Sequence, residues 1–250
     1  MKTINQPKWS GNFLSVIIPC FNEIDTLDFS INKIKSFFEV YSLQYPKLGY
    51  ECIFVNDGSS DLTGPQLEMR KREIPHAFVV HHERNQGLGA AIKTGIAHAK
   101  GDMIAVFDAD CAYEPMLLLP MLEQINHYEI IDGCPYHPKV PKNNYVPIHR
   151  LILSRSVVIL YNILLGKKSY CYTCLFRLYR KYVFNSFEIN ENGFLAVTEI
   201  KVKSIQNNIS ILEFPATNHF RKFGQSKMKV IKNIIQHLKY MSSILVGKIR

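Results

Sequence analysis

The run LSVIIP at residues 14–19 is apolar and mostly β-branched, the pattern of a strand buried on both faces of a sheet. A polar break, CFNEIDT, follows it. Apolar residues then fall at Leu27, Ile31, Ile34, Phe38 and Tyr41, the spacing of one helical face, with Asp25 or Thr26 as the cap. The same alternation repeats. ECIFVND (51–57) predicts a second strand, and the turn-rich GSSDLTG leads into a helix over 65–73. AFVVH (77–81) predicts a short third strand. NQGLG (85–89) opens a helix with Leu88, Ile92, Ile96 and Ala99 on one face and a stop at Gly101. DMIAVF (102–107) predicts a fourth strand.

Strands alternating with helices imply a parallel sheet with crossover helices, whose ligand site lies off the carboxyl ends of the strands. The polar motifs CFNE, NDGSSD, ERNQG and DAD each follow a strand, so all four are expected on one edge of the sheet. The second half is less regular. IIDGCPYHP (130–138) reads as a strand and a proline-rich loop, 148–165 as a Leu- and Ile-rich helix, and 173–181 and 209–215 as strands. Over 227–246, Ile231, Ile234, Ile235, Leu238, Met241 and Leu245 repeat at helical spacing. Lys229, Lys232, Gln236 and Lys239 fall on other faces, which makes this a basic amphipathic helix.

The chain has 250 residues and a hydrophobic fraction of 47%, enough for one large domain or a domain plus an extension. Its net charge of +9 suits an anionic partner: phosphates, nucleic acid or an anionic membrane surface. The N-terminus is polar up to Phe13, so no signal peptide is expected. The most apolar segment, 151–165, contains Arg155 and falls short of the roughly 20 apolar residues of a spanning helix. The six cysteines are expected to be buried, reduced thiols. Cys171 and Cys174 form a CxxC, but no second pair has the spacing of a zinc site.

Two aspartates at i and i+2 just past a strand, Asp108 and Asp110 in VFDADCAYEP, offer hard oxygen ligands to a divalent cation such as Mg²⁺ or Mn²⁺. Asp57 ends the second strand, where its carboxylate can accept hydrogen bonds from the N–H edge of a base. There is no GxxxxGK[ST], no GxGxxG after the first strand and no GxSxG, which excludes three common alternatives.

SVIIPCFNE, FVNDGSSDLT, ERNQGLGAAIKTGIAHAKGD and VFDADCAYEP resemble, in order, the nucleotide-sugar-binding half of family 2 glycosyltransferases, inverting enzymes of the GT-A fold. IHRLILSRSVVILYNILLG, YTCLFRLYRK and HFRKFGQSKM are similar to segments of the polyprenyl-phosphate sugar transferases, the dolichyl-phosphate mannose synthase subgroup. The resemblance implies an α/β, Rossmann-like GT-A sheet with a C-terminal acceptor-side region and amphipathic helices. It divides the chain into a domain over 13–225, with a nucleotide-sugar half (13–115) and an acceptor half (116–225), and a basic helix over 226–250.

By the same resemblance, Pro19, Phe21, Asn22 and Glu23 line the nucleotide pocket and Asp57 contacts the base. Asn85, Gly87 and Lys93 lie near the ribose and phosphates, and Asp108 and Asp110 hold the metal and the ribose–phosphate, with Ala109 between them in the nucleotide-sugar site. Arg150, Arg155, Arg221, Ser226 and Lys227 match groups near the donor diphosphate and the acceptor phosphate, with Arg221 and Lys227 joining Asp108 and Asp110 in catalysis. The implied partners are a nucleotide-sugar, a lipid phosphate and a membrane surface, with no nucleic acid. The implied location is cytoplasmic, peripheral on a membrane. The chain departs from the subgroup at Ala112, where Gln is common, and at Gly133 to Pro138, where an arginine is usual. It departs again at Cys171 to Thr173, which replace an aspartate. The alternative is transfer to a saccharide hydroxyl in cell-surface polysaccharide assembly. That needs a base, for which Glu199, His137 and His219 are the candidates.

Overall fold

The structure, a computed structural model, describes residues 13–141, 148–218 and 230–247. Its first half follows the alternation read above: β1 (Phe13–Cys20), α1 (Ile24–Gln44), β2 (Gly49–Asn56), α2 (Thr63–Arg70), β3 (Ala77–His81), α3 (Leu88–His98) and β4 (Met103–Val106). The second half contains α4 (Leu118–Leu122), β5 (Ile130–Cys134), α5 (Ile148–Leu165), β6 (Arg177–Arg180), α6 (Leu195–Gln206), β7 (Ile211–Pro215) and α7 (Val230–Leu245).

The seven strands form one sheet in the order β3-β2-β1-β4-β6-β5-β7. β1 to β4 are mutually parallel where they pair, as expected, and β5 pairs parallel with β7. β6 is antiparallel to both β4 and β5, so the sheet is mixed. The reversal brings the start of β6 to the edge where β4, β5 and β7 end: Val106 and Asp132 both pair with Arg177, and Asp132 pairs with Glu213.

Strand alternation builds two cores. Val16 and Ile18 of β1 face α1, through Leu27, Ile31, Ile34 and Phe38. Ile17 faces the other way, to Ala91 and Ile92 of α3 and Val197 and Ile200 of α6. A third cluster joins α5, α6 and α7 through Tyr161, Leu195, Val202, Tyr240 and Met241, with Tyr172 beside them.

Two local expectations change. Neither Asp25 nor Thr26 caps α1, which begins at Ile24. Its first N–H groups are satisfied from another segment: Glu23 N–H donates to Thr63 Oγ1 (2.8 Å) and Ile24 N–H to Asp61 Oδ2 (3.3 Å). The predicted strand 173–181 shortens to β6. α6 had no amphipathic signature because every residue from Leu195 to Ser204 is buried, including Glu199, Lys201 and Lys203.

Candidate functional site

The turn after β1 and the loop after β2 are stitched together. Asn22 has a left-handed backbone (φ 52). Its N–H donates to Ser59 Oγ (3.0 Å), and its side-chain oxygen accepts the Ser60 N–H (2.8 Å). Glu23 Oε2 accepts the Thr26 hydroxyl (2.9 Å). Pro19, Phe21, Asn22 and Glu23 are all half-buried along this edge.

Asp57 is the hub of the next layer. It is 3% exposed. Its carboxylate accepts hydrogen bonds from His82 Nδ1 (2.7 Å), the Asn85 amide (3.0 Å) and the backbone N–H groups of Gln86 (2.9 Å) and Gly87 (2.8 Å). A carboxylate offers about four lone-pair positions, so a further donor has to displace one of these. The contacts draw the segment 82–87 down onto the end of β2. Gly87 has φ 102, and a Cβ there would lie 2.4 Å from the Asn192 carbonyl oxygen, so no other residue fits this turn without strain. Asn192 also ties down α3: its carbonyl accepts the Ala90 N–H (3.2 Å) and its side-chain oxygen the Lys93 ammonium (2.5 Å).

Asp108 and Asp110 follow β4, both half-buried, with Ala109 buried between them. Asp108 accepts the Cys111 N–H through its carbonyl (3.1 Å), and Asp110 Oδ1 accepts the Ala112 N–H (2.9 Å). Cys111 has φ 49, so the chain turns sharply here. Lys33 of α1 pairs with Glu114 and anchors the far side of the turn. Among the described residues, no group of three or more His, Cys, Asp or Glu side chains is arranged to hold a metal ion. Two carboxylates supply only part of an octahedral shell, which suits a hard cation that also takes water and phosphate oxygens.

The second half of the chain meets this turn directly. The Tyr113 ring stacks on Phe176, with centroids 5.4 Å apart, and Tyr113 forms a backbone bridge with Asn218, just beyond β7. A buried ion network sets the loop leading to Phe176. Arg177 donates to Asp132 (2.7 Å) and to the Tyr172 carbonyl (3.1 Å); Lys201 donates to Asp132 (2.5 Å), Glu213 (2.6 Å) and the Cys171 carbonyl (2.5 Å). Glu213 accepts the Tyr170 N–H (3.0 Å) and the Ser169 hydroxyl. Burial pushes the Lys201 ammonium down, but the charges of Asp132 and Glu213 outweigh it and hold its pKa above the lysine norm. Burial likewise pushes Glu213 up, and Lys201, Ser169 and Tyr170 bring it below the usual carboxylate value.

Arg155 is exposed on α5. Burial pushes the Tyr136 phenol up, while the Ser154 hydrogen bond and the nearby Arg155 charge oppose that, which puts this stretch of α5 beside the end of β5. The Arg150 side chain and residues Arg221, Ser226, Lys227 and His219 lie outside the described residues. Glu199 is 1% exposed, and its oxygens accept Asn190 N–H (3.1 Å), Glu191 N–H (2.8 Å) and the Lys203 ammonium (2.8 Å). His137 packs edge-on against Tyr170. All six cysteines are buried and free, and burial pushes the Cys171 and Cys174 thiols up. His82, Thr63, Asp61 and Asn192 were not singled out in the sequence. His82 had a signal in its position beside ERNQG, whereas Asn192 had none.

The model of the family described as Glycosyl transferase family 2 matches residues 15–187. A dolichol-phosphate mannosyltransferase of Pyrococcus furiosus is 29% identical over 93% of this chain and 63% of its own length. An undecaprenyl-phosphate 4-deoxy-4-formamido-L-arabinose transferase of Klebsiella pneumoniae is 27% identical over 88% and 64%. The chain thus spans somewhat under two thirds of these relatives. Among solved structures, glucosyl-3-phosphoglycerate synthase of Mycobacterium tuberculosis, in complex with Mn²⁺ and uridine-diphosphate-glucose, superposes with a TM-score of 0.66. It is 15% identical, over 98% of this chain and 84% of that one. The shared fold is the GT-A type expected from the motifs.

Proposed function

The chain belongs to glycosyl transferase family 2, and from that premise we propose that it is a metal-dependent inverting enzyme that moves a sugar from a nucleotide-sugar to a polyprenyl phosphate at a membrane surface. The observation that carries this reading is the junction of the two halves. Tyr113, in the turn that begins with Asp108 and Asp110, bridges Asn218. Arg221 follows three residues later, at most about 11 Å of extended chain away. The chain that leads to Arg221 therefore leaves Asn218 beside the turn that carries the two aspartates, which supports pairing the acids with that cation.

Asp108 and Asp110 would hold Mg²⁺ or Mn²⁺, which when bound neutralises a diphosphate leaving group. The protein's own task is to bring two anions together. A lipid phosphate is already negative and needs no strong base; it needs cations, and Arg150, Arg155, Arg221 and Lys227, with Ser226, are the groups for it. A hydroxyl acceptor needs a base, and Glu199 is buried with both oxygens engaged. The names of the Pyrococcus and Klebsiella relatives point the same way. Pro19, Phe21, Asn22, Glu23, Asp57, Asn85, Gly87 and Lys93 form the donor side.

Membrane contact is supported by the outer faces of α5 and α7. Ile159, Leu160 and Ile163 are exposed on the first, and Ile235, Leu238, Leu245 and Val246 on or just after the second. Lys167, Lys168 and Lys239 are exposed nearby in sequence. Among the described residues no helix is long and apolar enough to cross a membrane; exposed apolar faces with lysines close in sequence suit an interfacial contact.

Incubating the protein with Mn²⁺ or Mg²⁺, GDP-, UDP- and dTDP-sugars and a polyprenyl phosphate is expected to yield a sugar–phospholipid. Nucleotide release that occurs only with a saccharide acceptor overturns the lipid assignment. Failure of every nucleotide-sugar to bind, at any metal concentration, overturns the whole reading.

A further inference from the structure

His81 and His82 are consecutive, yet they serve different networks. His81 contacts Asn56 through Nδ1 (2.9 Å) and Glu68 through Nε2 (3.1 Å). His82 points inward. Its Nδ1 lies 2.7 Å from Asp57 Oδ1 and its Nε2 2.8 Å from Thr94 Oγ1, with its side chain 7% exposed. An ionised carboxylate only accepts, so Nδ1 carries the proton, and in the neutral ring Nε2 accepts the Thr94 hydroxyl. Thr94 sits on α3 next to Lys93, and Asp57 holds Asn85 and Gly87. One imidazole therefore links the end of β2 and the 82–87 loop to α3.

We propose that His82 is a positioning residue for nucleotide binding: the Asp57–His82–Thr94 chain of hydrogen bonds fixes the segment 82–87 against α3 and sets the spacing between Asn85, Gly87 and Lys93. The inference rests on the glycosyltransferase reading and adds to it a residue that need not touch the nucleotide. It also gives Asp57 a second task, since its carboxylate is fully engaged in holding the loop.

The test is calorimetric titration of UDP, GDP and dTDP, each with Mn²⁺, into the wild-type chain and four variants. Thr94→Val removes the hydroxyl at nearly constant volume and is expected to weaken the nucleotide that binds by about tenfold, the equivalent of one lost hydrogen bond. Thr94→Ser restores wild-type affinity. His82→Asn keeps a donor for Asp57 but does not reach Thr94, so it matches Thr94→Val. His82→Ala loses both links and weakens binding further. Thr94 is only half-buried, so the Thr94 pair carries the test even where His82→Ala fails to fold. Wild-type affinity in both Thr94→Val and His82→Asn overturns the inference, as does a lowered melting temperature in Thr94→Val with unchanged affinity. A wild-type chain that binds none of the three nucleotides overturns the nucleotide-sugar reading and this inference with it.

Discussion

Asp57 and Asp132 are both buried carboxylates close to the carboxyl ends of strands, but their charges are held in opposite ways. Asp57 is surrounded by donors without a full charge, two backbone N–H groups and an amide, together with the His82 ring. Asp132, 0% exposed, lies between two full cations, Arg177 and Lys201, with Glu213 completing the group. The first arrangement shapes a loop by many small contacts. The second locks a β-strand rung to a helix, at the cost of desolvating four charges. The edge around Asp57 is thus held by several dipolar contacts, whereas the edge around Asp132 is framed by paired full charges.

The largest effect is expected where a full charge is orphaned. Lys201→Met leaves Glu213 and one oxygen of Asp132 without their cation and should cost about 3–5 kcal/mol in urea denaturation. Adding Glu213→Gln should return about 1–2 kcal/mol, because the two sites share one interaction. A loss below about 1 kcal/mol for the single change would mean that the network is solvated in solution and no frame at all.

Asp110→Asn comes next, and it acts on activity instead of stability. The amide oxygen keeps the bond to Ala112 N–H, so folding should be unchanged, while sugar transfer falls by about 100-fold or more. Full activity at any metal concentration would remove Asp110 from the site.

Asp57→Asn should cost less than Lys201→Met, about 1–3 kcal/mol, since its amide group faces N–H donors where an oxygen was but leaves no charge unpaired. An equal or larger loss would reverse the comparison between the two edges.

The smallest effect is in pH. Glu213 is held below its ordinary value, so its contribution is present above the unfolded glutamate pKa, about 4.3, and fades as pH falls through the lower folded value. Lys201 is held above its ordinary value, so its contribution is full below the unfolded lysine pKa and fades only as alkaline pH rises through the folded one. Denaturation of wild type and Glu213→Gln should therefore differ most near neutral pH and converge on acidification. A gap that widens toward pH 3 would contradict this assignment.

The first four strands were legible because each is a short apolar run ended by a polar motif, and a period of two or of 3.6 is a local property. The motifs also announced their edge of the sheet, since parallel connections bring every strand end to one side. α6 was not legible. Its Glu199, Lys201 and Lys203 interrupt the apolar pattern, and burial is tolerable only because Glu199 and Lys203 pair with each other and Lys201 reaches Asp132 and Glu213. The cap of α1 was misread for a related reason, since a side chain 37 or 40 residues away does what Asp25 or Thr26 was expected to do.

The sequence by itself determined the α/β alternation, the family and the acids at the strand ends. These follow from local periodicity and from motifs a few residues long. Only the tertiary structure decided that β6 runs backwards into the sheet, that Asp57 is saturated by the 82–87 loop, that His82 reaches Thr94, and that Tyr113 meets Asn218. Each of these joins segments whose contact depends on how the whole sheet closes, and no local pattern of residues carries that information.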